Sequence, residues 1–238
     1  MRIILTSDTQ LGMTKIGNIE DVLRAHKNID LVVHSGDYCG GRVGYRAVRT
    51  TCALMRKVFP NTPILSVLGN HDYWGAENEA KYLDNMKKIG DTFASNDIHW
   101  LDQDGCYIAD EGILFAGHTG WYSRTDIING YVNDRNFMPN FMQGKHLHQA
   151  MLDMAREEAD DIMEQASLIQ ANKKIWVSHF PVIEPHLLYG GDANLGFRLQ
   201  ENGFTCFLEG HSHIIKNGPD VFNSGSDYGT PRSIVIDL

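Results

Sequence analysis

Cysteine is scarce in this chain, with four residues among 238, and no two of them form a C-x-x-C pair. The four are Cys39, Cys52, Cys106 and Cys206. Such a scatter argues against a thiolate zinc site of the usual spacing and against a disulfide framework. We therefore expect a protein of a reducing compartment, namely the cytoplasm.

Long hydrophobic runs are also missing. No stretch of the sequence approaches the ~18 uninterrupted apolar residues that a membrane span needs. The apolar start of the chain meets Asp8 too early to serve as a signal peptide. The sequence thus predicts a soluble protein without a membrane partner.

Positive charge is in short supply and is not clustered. Lys and Arg number 21 against 30 Asp and Glu, which gives a formal net charge of −9 with histidine counted as neutral. Duplex nucleic acid is disfavoured as a partner, because binding it unaided requires clustered basic residues that displace counterions. A phosphate site built around metal cations stays compatible with the acidity, because the phosphate meets the local charge.

What the sequence does contain is an alternation of short apolar runs with amphipathic stretches. In the first part we predict strands at 2–6, 30–34 and 63–68, and helices at 19–27, 45–58 and 77–89. Buried strands that alternate with helices indicate a mainly parallel sheet. Further on we predict hairpin-like segments at 98–101, 106–109 and 113–116, a helix at 145–170, and strands at 174–178, 205–208, 220–222 and 233–237.

A single domain over residues 1–238 is the economical interpretation, because the sequence shows no repeat, low-complexity tract or linker. The segment at about 119–144 has no clear period and is rich in aromatic residues. We interpret this segment as a long, cap-like loop.

Five clusters of metal-ligand residue types directly follow predicted strands. They are Asp8-Thr9-Gln10, Gly36-Asp37, Gly69-Asn70-His71-Asp72, Ser178-His179 and Gly210-His211-Ser212-His213. Taken singly, most of these clusters are ordinary turns or helix caps. In open α/β sheets, however, the loops at the carboxyl ends of the strands converge on one crevice. Their joint occurrence at five strand ends therefore predicts one shared site.

The residue types in these clusters suit a hydrolytic metal centre. Carboxylate and amide oxygens together with imidazole nitrogens favour Mn²⁺, Fe or Zn²⁺ over Ca²⁺ and Cu(I). Two cations about 3.5–4 Å apart, bridged by one carboxylate, could polarise a phosphoryl oxygen and hold a hydroxide for in-line attack. The candidate ligands are Asp8, Asp37, Asn70, His179, His211 and His213.

The ordered set resembles the calcineurin-like metallophosphoesterase superfamily, whose pattern is D-x-H, G-D, G-N-H-[DE], a lone His and G-H-x-H. The motifs span positions 8 to 213 of this chain. The resemblance implies an α/β fold of the α-β-β-α sandwich type, in which helices flank two mixed sheets and a two-metal centre lies at the sheet edge.

The resemblance also implies a division of the ligands between two ions. One metal would be held by Asp8, Asp37 and His213. The other would be held by Asp37, Asn70, His179 and His211, so that Asp37 bridges the two.

The resemblance also implies catalytic roles for His71 and Asp72. His71 would contact the phosphoryl oxygen or protonate the leaving group, and Asp72 would orient and charge its ring.

Gln10 departs from the pattern, because the family usually has histidine there. An amide oxygen is a weaker ligand than imidazole, so the first metal would be held less tightly or be a different ion. Some branches of the superfamily carry Gln at this position and are associated with diphosphate and diester substrates.

Two further segments resemble a bacterial and phage-type branch of the superfamily. They are Gly117-His118-Thr119-Gly120-Trp121 and Tyr131-Val132-Asn133-Asp134. In that branch this stretch overhangs the metal centre, and a guanidinium matches phosphate in a two-point contact. The substrate-binding candidates are therefore Asn70, His71, His118, Trp121, Asn133, Asp134 and Arg135. The alternative for Trp121 and Tyr131 is that they only pack the loop.

The expected activity is hydrolysis of phosphate mono- or diesters by a dinuclear centre and a metal-bound hydroxide. Mn²⁺ or Fe is favoured, with Zn²⁺, Ni²⁺ and Mg²⁺ as alternatives, and the substrate would be a small nucleotide, phosphoester or phosphopeptide. A nuclease is one alternative, although it needs a basic groove or stacking aromatics. A degenerate scaffold of the same fold is the other. Histidines 26, 99 and 186 lie outside the clusters, and we expect them at the surface or on helix faces.

Overall fold

The computed structural model describes residues 1–40, 44–74, 76, 78–123, 147–184, 186–215 and 217–238. In these parts of the chain the strands are β1 (Arg2–Thr6), β2 (Leu31–Ser35), β3 (Ile64–Val67), β4 (Ile98–Trp100), β5 (Tyr107–Ala109), β6 (Ile113–His118), β7 (Lys173–Ser178), β8 (Phe204–Glu209), β9 (Val221–Asn223) and β10 (Ser233–Asp237). The α-helices are α1 (Ile16–Arg24), α2 (Tyr45–Val58), α3 (Glu79–Ser95), α4 (Leu101–Asp104), α5 (Leu147–Ser167) and α6 (Ala193–Glu201). Short 3₁₀ turns lie at Asn70–Tyr73, Asp110–Gly112 and His186–Tyr189.

The strands form two five-stranded mixed sheets. The first has the order β10-β1-β2-β3-β4, and the second has the order β5-β6-β7-β8-β9. Within each sheet four strands run parallel, and one edge strand, β10 or β5, runs antiparallel to its neighbour. This arrangement confirms the predicted fold class.

Alternation along the strands produces the layers. In β1, Ile3 and Leu5 pack between the two sheets against residues such as Phe115 and Ile175, whereas Ile4 packs on the other side with α1 and α2. Successive side chains of a strand point to opposite faces, so one strand supplies two cores. A third core forms where α5 and α6 cover the outer face of the second sheet. The order of layers is therefore helix, sheet, sheet, helix.

Several element predictions need correction. The hairpin predicted from residues 98–101 to 106–109 is wrong, because β4 pairs in parallel with β3 in the first sheet and only β5 and β6 form a hairpin. The short helix α4 separates β4 from β5 and carries the chain to the other sheet. The first and third helices begin and end at other residues than predicted, and α6 is not predicted at all.

The cap-like loop predicted at about 119–144 lies, from residue 124 onward, outside the described residues. The single-domain organisation stays a prediction. In the portion of the chain that the structure covers, none of the helices has the length and apolar character that crossing a bilayer requires.

Candidate metal centre

The predicted ligand clusters meet where the parallel strands of both sheets end. Asp8 and Asp37 follow β1 and β2, Asn70 follows β3, and His179 follows β7. One ligand atom from each of Asp8, Asp37 and His179 can be chosen so that all three lie within 4.8 Å of one another, and all three residues are buried. The face-to-face packing of the sheets therefore brings residues from both halves of the chain into one group.

His179 has its two ring nitrogens in different surroundings. Nδ1 lies 2.9 Å from the backbone oxygen of Ser35 and must donate to it, because a carbonyl only accepts. Nε2 then faces two oxygen atoms, Oδ1 of Asn70 at 2.9 Å and Oδ1 of Asp37 at 3.4 Å. Burial lowers the pKa of His179, but the nearby carboxylates of Asp37 and Asp8 outweigh it and raise the pKa. This pocket of oxygens around Nε2 demands a cation, either a proton or a metal ion.

Asp37 lies at the centre of the group. Its Oδ1 accepts a hydrogen bond from the backbone N–H of His71 at 3.0 Å. Its Oδ2 accepts one from the Nε2 of Gln10 at 3.4 Å and lies 3.7 Å from Nδ1 of His71. The carboxylate is 1% exposed. It thus lies between the Asp8 side and the His179 side of the group.

Two buried oxygens in the group have no hydrogen-bond partner among the described residues, namely Oδ1 of Asp8 and Oε1 of Gln10. Buried polar atoms are nearly always satisfied, so such oxygens indicate a missing binding partner. The remaining carboxylate oxygen of Asp8 accepts from the backbone N–H of His211 at 3.2 Å. The donor set therefore fits a divalent metal ion, which would satisfy both oxygens.

The last motif supplies two imidazoles on opposite sides of the group. The ring of His211 packs against Phe180 and His179, with centroids 4.4 and 5.1 Å away. Nε2 of His213 lies 3.5 Å from Oδ1 of Asp8, and its Nδ1 lies 3.5 Å from Oδ1 of Asp227. The structure thus places His211 beside His179 and His213 beside Asp8. The division of the ligands between two ions stays a prediction.

Backbone conformation singles out the same residues. Eight described residues other than glycine have positive φ, and five of them are predicted metal ligands: Asp8, Gln10, Asp37, His211 and His213. A left-handed backbone is uncommon for residues with a side chain and costs about 1–3 kcal/mol each. Strain of this kind clusters at functional sites, where the surrounding structure holds it in place.

Glycines in the motifs allow the loops to approach one another. A β-carbon added at Gly69 would lie 2.2 Å from Oδ1 of Asp37, and one at Gly36 would lie 2.7 Å from Nδ1 of His179. Gly36 also has a φ of +88°, which favours glycine. The glycines of these two motifs are therefore required by the close packing of ligand loops.

The orienting role expected for Asp72 is not what its contacts show. Its carboxylate accepts hydrogen bonds from the backbone N–H groups of Asp37, Cys39 and Gly69, at 3.1, 3.0 and 2.9 Å. The structure gives no bond from it to the His71 ring, whose nearest described carboxylate is that of Asp37. Burial and the neighbouring Asp37 raise the pKa of Asp72 to about 6. Asp72 thus connects the loop after β2, which carries Asp37, to the loop after β3, which carries Asn70.

His71 itself lies at the edge of the group, stacked on Trp74 with centroids 3.7 Å apart. The ring of Tyr228 lies 6.2 Å from His71 and 5.1 Å from His213, nearly parallel to both. Tyr228 is 52% exposed, whereas Trp74 is 6% exposed. Neither Trp74 nor Tyr228 belongs to one of the sequence motifs, so neither was predicted at the site.

The predicted substrate-binding residues fall into two groups. His118 and Trp121 are buried and line a cavity of about 440 Å³ between α3 and α5. His118 contacts Glu158 at 2.7 Å through Nε2 and accepts from the backbone N–H of Gly120 through Nδ1 at 2.9 Å. Asn133, Asp134 and Arg135 lie outside the described residues. Their role stays a prediction.

The surface position expected for His186 is wrong. The residue is 0% exposed, and its Nδ1 lies 2.7 Å from Oε2 of Glu209. A single histidine in a loop gives no local sign of burial, because its partner is 23 residues away. A carboxylate that ends the apolar strand β8 is the signal that would have pointed to the pair.

Comparison with known proteins adds to this geometry. A family model described as calcineurin-like phosphoesterase matches residues 1–214. Sphingomyelin phosphodiesterase A of Dictyostelium discoideum is 26% identical over 127 residues, which are 52% of this chain and 21% of that protein. The chain therefore matches only about a fifth of the length of this relative.

Comparison with solved structures gives matches that include two from Thermus thermophilus. The crystal structure of TT1561 of Thermus thermophilus matches with a TM-score of 0.56 and 12% identity. The match covers 87% of this chain and 80% of the TT1561 chain. A hypothetical protein from the same organism has a TM-score of 0.48 at 15% identity, covering 94% of this chain and 74% of its own. At such low identity the first likeness shows a shared fold and nothing about substrate.

Proposed function

The chain belongs to the calcineurin-like phosphoesterase family, whose members hydrolyse phosphoesters with divalent metals, and on that premise we propose that it hydrolyses small phosphate mono- or diesters at a dinuclear centre. The observation that carries the proposal is the environment of His179. Its Nε2 atom faces the oxygens of Asn70 and Asp37 in a fully buried pocket. A metal ion would satisfy all three atoms at once, whereas a water molecule has only two protons to donate.

In this proposal the donors form two sets. Asp8, Asp37 and His213 would hold one ion, with the Oε1 of Gln10 as a further oxygen donor. Asp37, Asn70, His179 and His211 would hold the other. We favour Mn²⁺ or Fe because the set mixes carboxylate and amide oxygen with imidazole, although Zn²⁺, Ni²⁺ and Mg²⁺ are alternatives.

When bound, the two ions would polarise the phosphoryl oxygen and lower the pKa of a water molecule. The protein residues do the rest. His71 lies at the rim of the group, 3.7 Å from Asp37, so its ring is placed to donate a proton to a departing ester oxygen. The stacked Trp74 fixes the plane of that ring. Asp72 holds the Asp37 and Asn70 loops against each other through three backbone amides.

The substrate in this proposal is a small phosphorylated molecule in the cytoplasm. The Dictyostelium relative is named a phosphodiesterase, which supports the inclusion of diesters. The net charge of −9 and the absence of clustered basic residues argue against long nucleic acid, and the scarcity of cysteine supports a reducing compartment.

A screen of esters and metals tests the proposal. The purified protein is freed of metal and assayed on p-nitrophenyl phosphate, bis-p-nitrophenyl phosphate, cyclic nucleotides and nucleoside diphosphate derivatives, with Mn²⁺, Fe²⁺, Ni²⁺, Zn²⁺ or Mg²⁺ added in turn. We expect hydrolysis that requires added metal and is abolished in Asp37→Asn. The control is Asp21→Asn, because Asp21 is exposed on α1. Absence of hydrolysis with every metal would contradict the proposal.

A further inference from the structure

Glu209 and His186 form a fully buried pair outside the predicted metal ligands. Both side chains are 0% exposed, and Oε2 of Glu209 lies 2.7 Å from Nδ1 of His186. The carboxylate accepts, so the Nδ1–H of His186 donates. A buried carboxylate is retained only where its oxygens are well bonded, because removing it from water is costly.

The position of Glu209 connects it to the metal centre. It is the last residue of β8, two residues before His211. In the parallel register of β7 and β8 it lies opposite Ser178, the residue before His179. Glu209 therefore lies where β7 and β8 end, next to the loops that carry His179 and His211.

The second carboxylate oxygen of Glu209 reaches the loop that follows His179. Oε1 accepts hydrogen bonds from the backbone N–H groups of Val182 at 2.8 Å and Ile183 at 3.1 Å. The backbone adds one further link, from the N–H of Gly210 to the oxygen of His179 at 3.2 Å. One side chain on the His211 strand thus holds the His179 loop at two amides, and His186 holds the same side chain from further along that loop.

We propose that Glu209 is a positioning residue. Its carboxylate fixes the His179 loop to the His211 loop so that both imidazoles would face one ion, and His186 holds that carboxylate in place. The proposal rests on the proposed function, since it concerns the second of the two ions. The left-handed backbone of His211, with a φ of 61°, needs such support, because strained loops persist only where their surroundings hold them.

A neighbouring buried carboxylate provides a matched control. Asp192 is 3% exposed and pairs with Arg156 at 2.7 Å. Its carboxylate also caps α6 at Asn194, and its hydrogen bonds among the described residues go to Arg156 and Asn194. The backbone bond from Asp192 to Pro181, 2.9 Å long, does not depend on the side chain. Asp192→Asn therefore removes a comparable buried charge from the same segment without touching the link between His179 and His211.

The test is a calorimetric titration of the metal-free protein with Mn²⁺, together with thermal unfolding before metal is added. The proteins are wild type, Glu209→Gln, His186→Gln and Asp192→Asn. We expect two binding steps in wild type. Glu209→Gln should weaken one step by about 10-fold or more and leave the other unchanged, as loss of a residue that orients a ligand does. His186→Gln should weaken the same step less, and Asp192→Asn should lower the melting temperature while keeping both affinities.

Each other outcome contradicts the proposal. Equal affinities in Glu209→Gln and wild type would show that the pair only packs, and an equal loss in Asp192→Asn would show a general loosening. If Glu209→Gln does not fold, His186→Gln decides, because it keeps both amide bonds of Glu209. If both unfold, the pair is a folding determinant instead. A wild type that neither binds Mn²⁺ nor hydrolyses esters refutes the proposed function as well, whereas an active wild type with an unaltered Glu209→Gln refutes only the positioning role.

Discussion

Nε2 of His179 lies 2.9 Å from Oδ1 of Asn70. His179 follows a strand of the second sheet, and Asn70 follows a strand of the first. The contact therefore crosses between the sheets, and any change that displaces one ligand loop should alter the donor set contributed by the other.

Gly69→Ala should disable the site. The added β-carbon would lie 2.2 Å from Oδ1 of Asp37 and 2.4 Å from its backbone nitrogen, so the central carboxylate must move. A displacement of about 1 Å can reduce a catalytic rate about 100-fold, and we expect a loss of kcat/KM of that order. The control is Gly17→Ala in α1, where nothing lies within 4 Å. Alanine is favoured in a helix by about 0.5–1 kcal/mol, so this variant should be active and at least as stable. Equal loss in both variants would argue against a specific clash.

Gln10→His should increase the affinity for the first metal ion. Imidazole replaces an amide oxygen that has no hydrogen-bond partner in the described structure. The backbone φ of 45° at this position is tolerated by histidine better than by most residues. Titration of the metal-free protein with Mn²⁺ measures the effect, with Gln200→His on the exposed face of α6 as the control. An unchanged dissociation constant and stoichiometry would count against Gln10 as a ligand position.

Tyr228→Ala should weaken the binding of aromatic esters. Tyr228 is half exposed beside His71 and His213, where a substrate must approach. An aromatic contact contributes about 0.5–1.5 kcal/mol, so KM for p-nitrophenyl phosphate should rise roughly 2- to 10-fold. Tyr228→Phe should keep the wild-type KM, and Phe197→Ala, at an exposed position on α6, serves as the control. A rise of the same size in Tyr228→Phe would point to the hydroxyl rather than to the ring.

Glu158→Gln should reduce stability mainly at low pH. Burial lowers the pKa of His118, but the hydrogen bond with Glu158 and the charge of Asp102 outweigh it and raise the pKa. A raised pKa in the folded state adds stability that is complete below about pH 6.5 and is lost as the pH rises through the folded value. Urea unfolding at pH 5.5 and pH 9 should show a larger difference from wild type at pH 5.5. Glu157→Gln, at an exposed neighbour, should show no such dependence.

The elements predicted best have a clear local pattern, either a short apolar run or a helical period. The bounds of β1, α2 and β10 agree with the sequence predictions at 2–6, 45–58 and 233–237. The pairing of β4 was not predictable in the same way, because a three-residue strand carries no mark of which sheet it joins. Helix α6 contains Gly196, a weak helix former, and an added β-carbon there would lie 2.0 Å from the oxygen of Val182. Tertiary packing therefore decides that helix.

The site divides along similar lines. The meeting of Asp8, Asp37 and His179 could be predicted, because loops at the ends of parallel strands converge on one edge of the sheet. The role of these residues as metal ligands stays a prediction. The environment of Asp72 could not, since its partners are amides on loops that approach only in the folded protein. His186 and Tyr228 are similar cases, because a lone residue gains its meaning from a partner elsewhere in the fold.

The contacts that build the centre join very distant parts of the chain. The backbone of His211 bonds to Asp8 across 203 residues, and His179 bonds to Ser35 across 144. Closing such long loops costs conformational entropy before the resulting contacts add stability. These contacts should therefore form late in folding. Competence to bind an ion would then report the completion of folding, and the rate at which that competence is recovered after dilution from urea would measure the final docking of the two sheets.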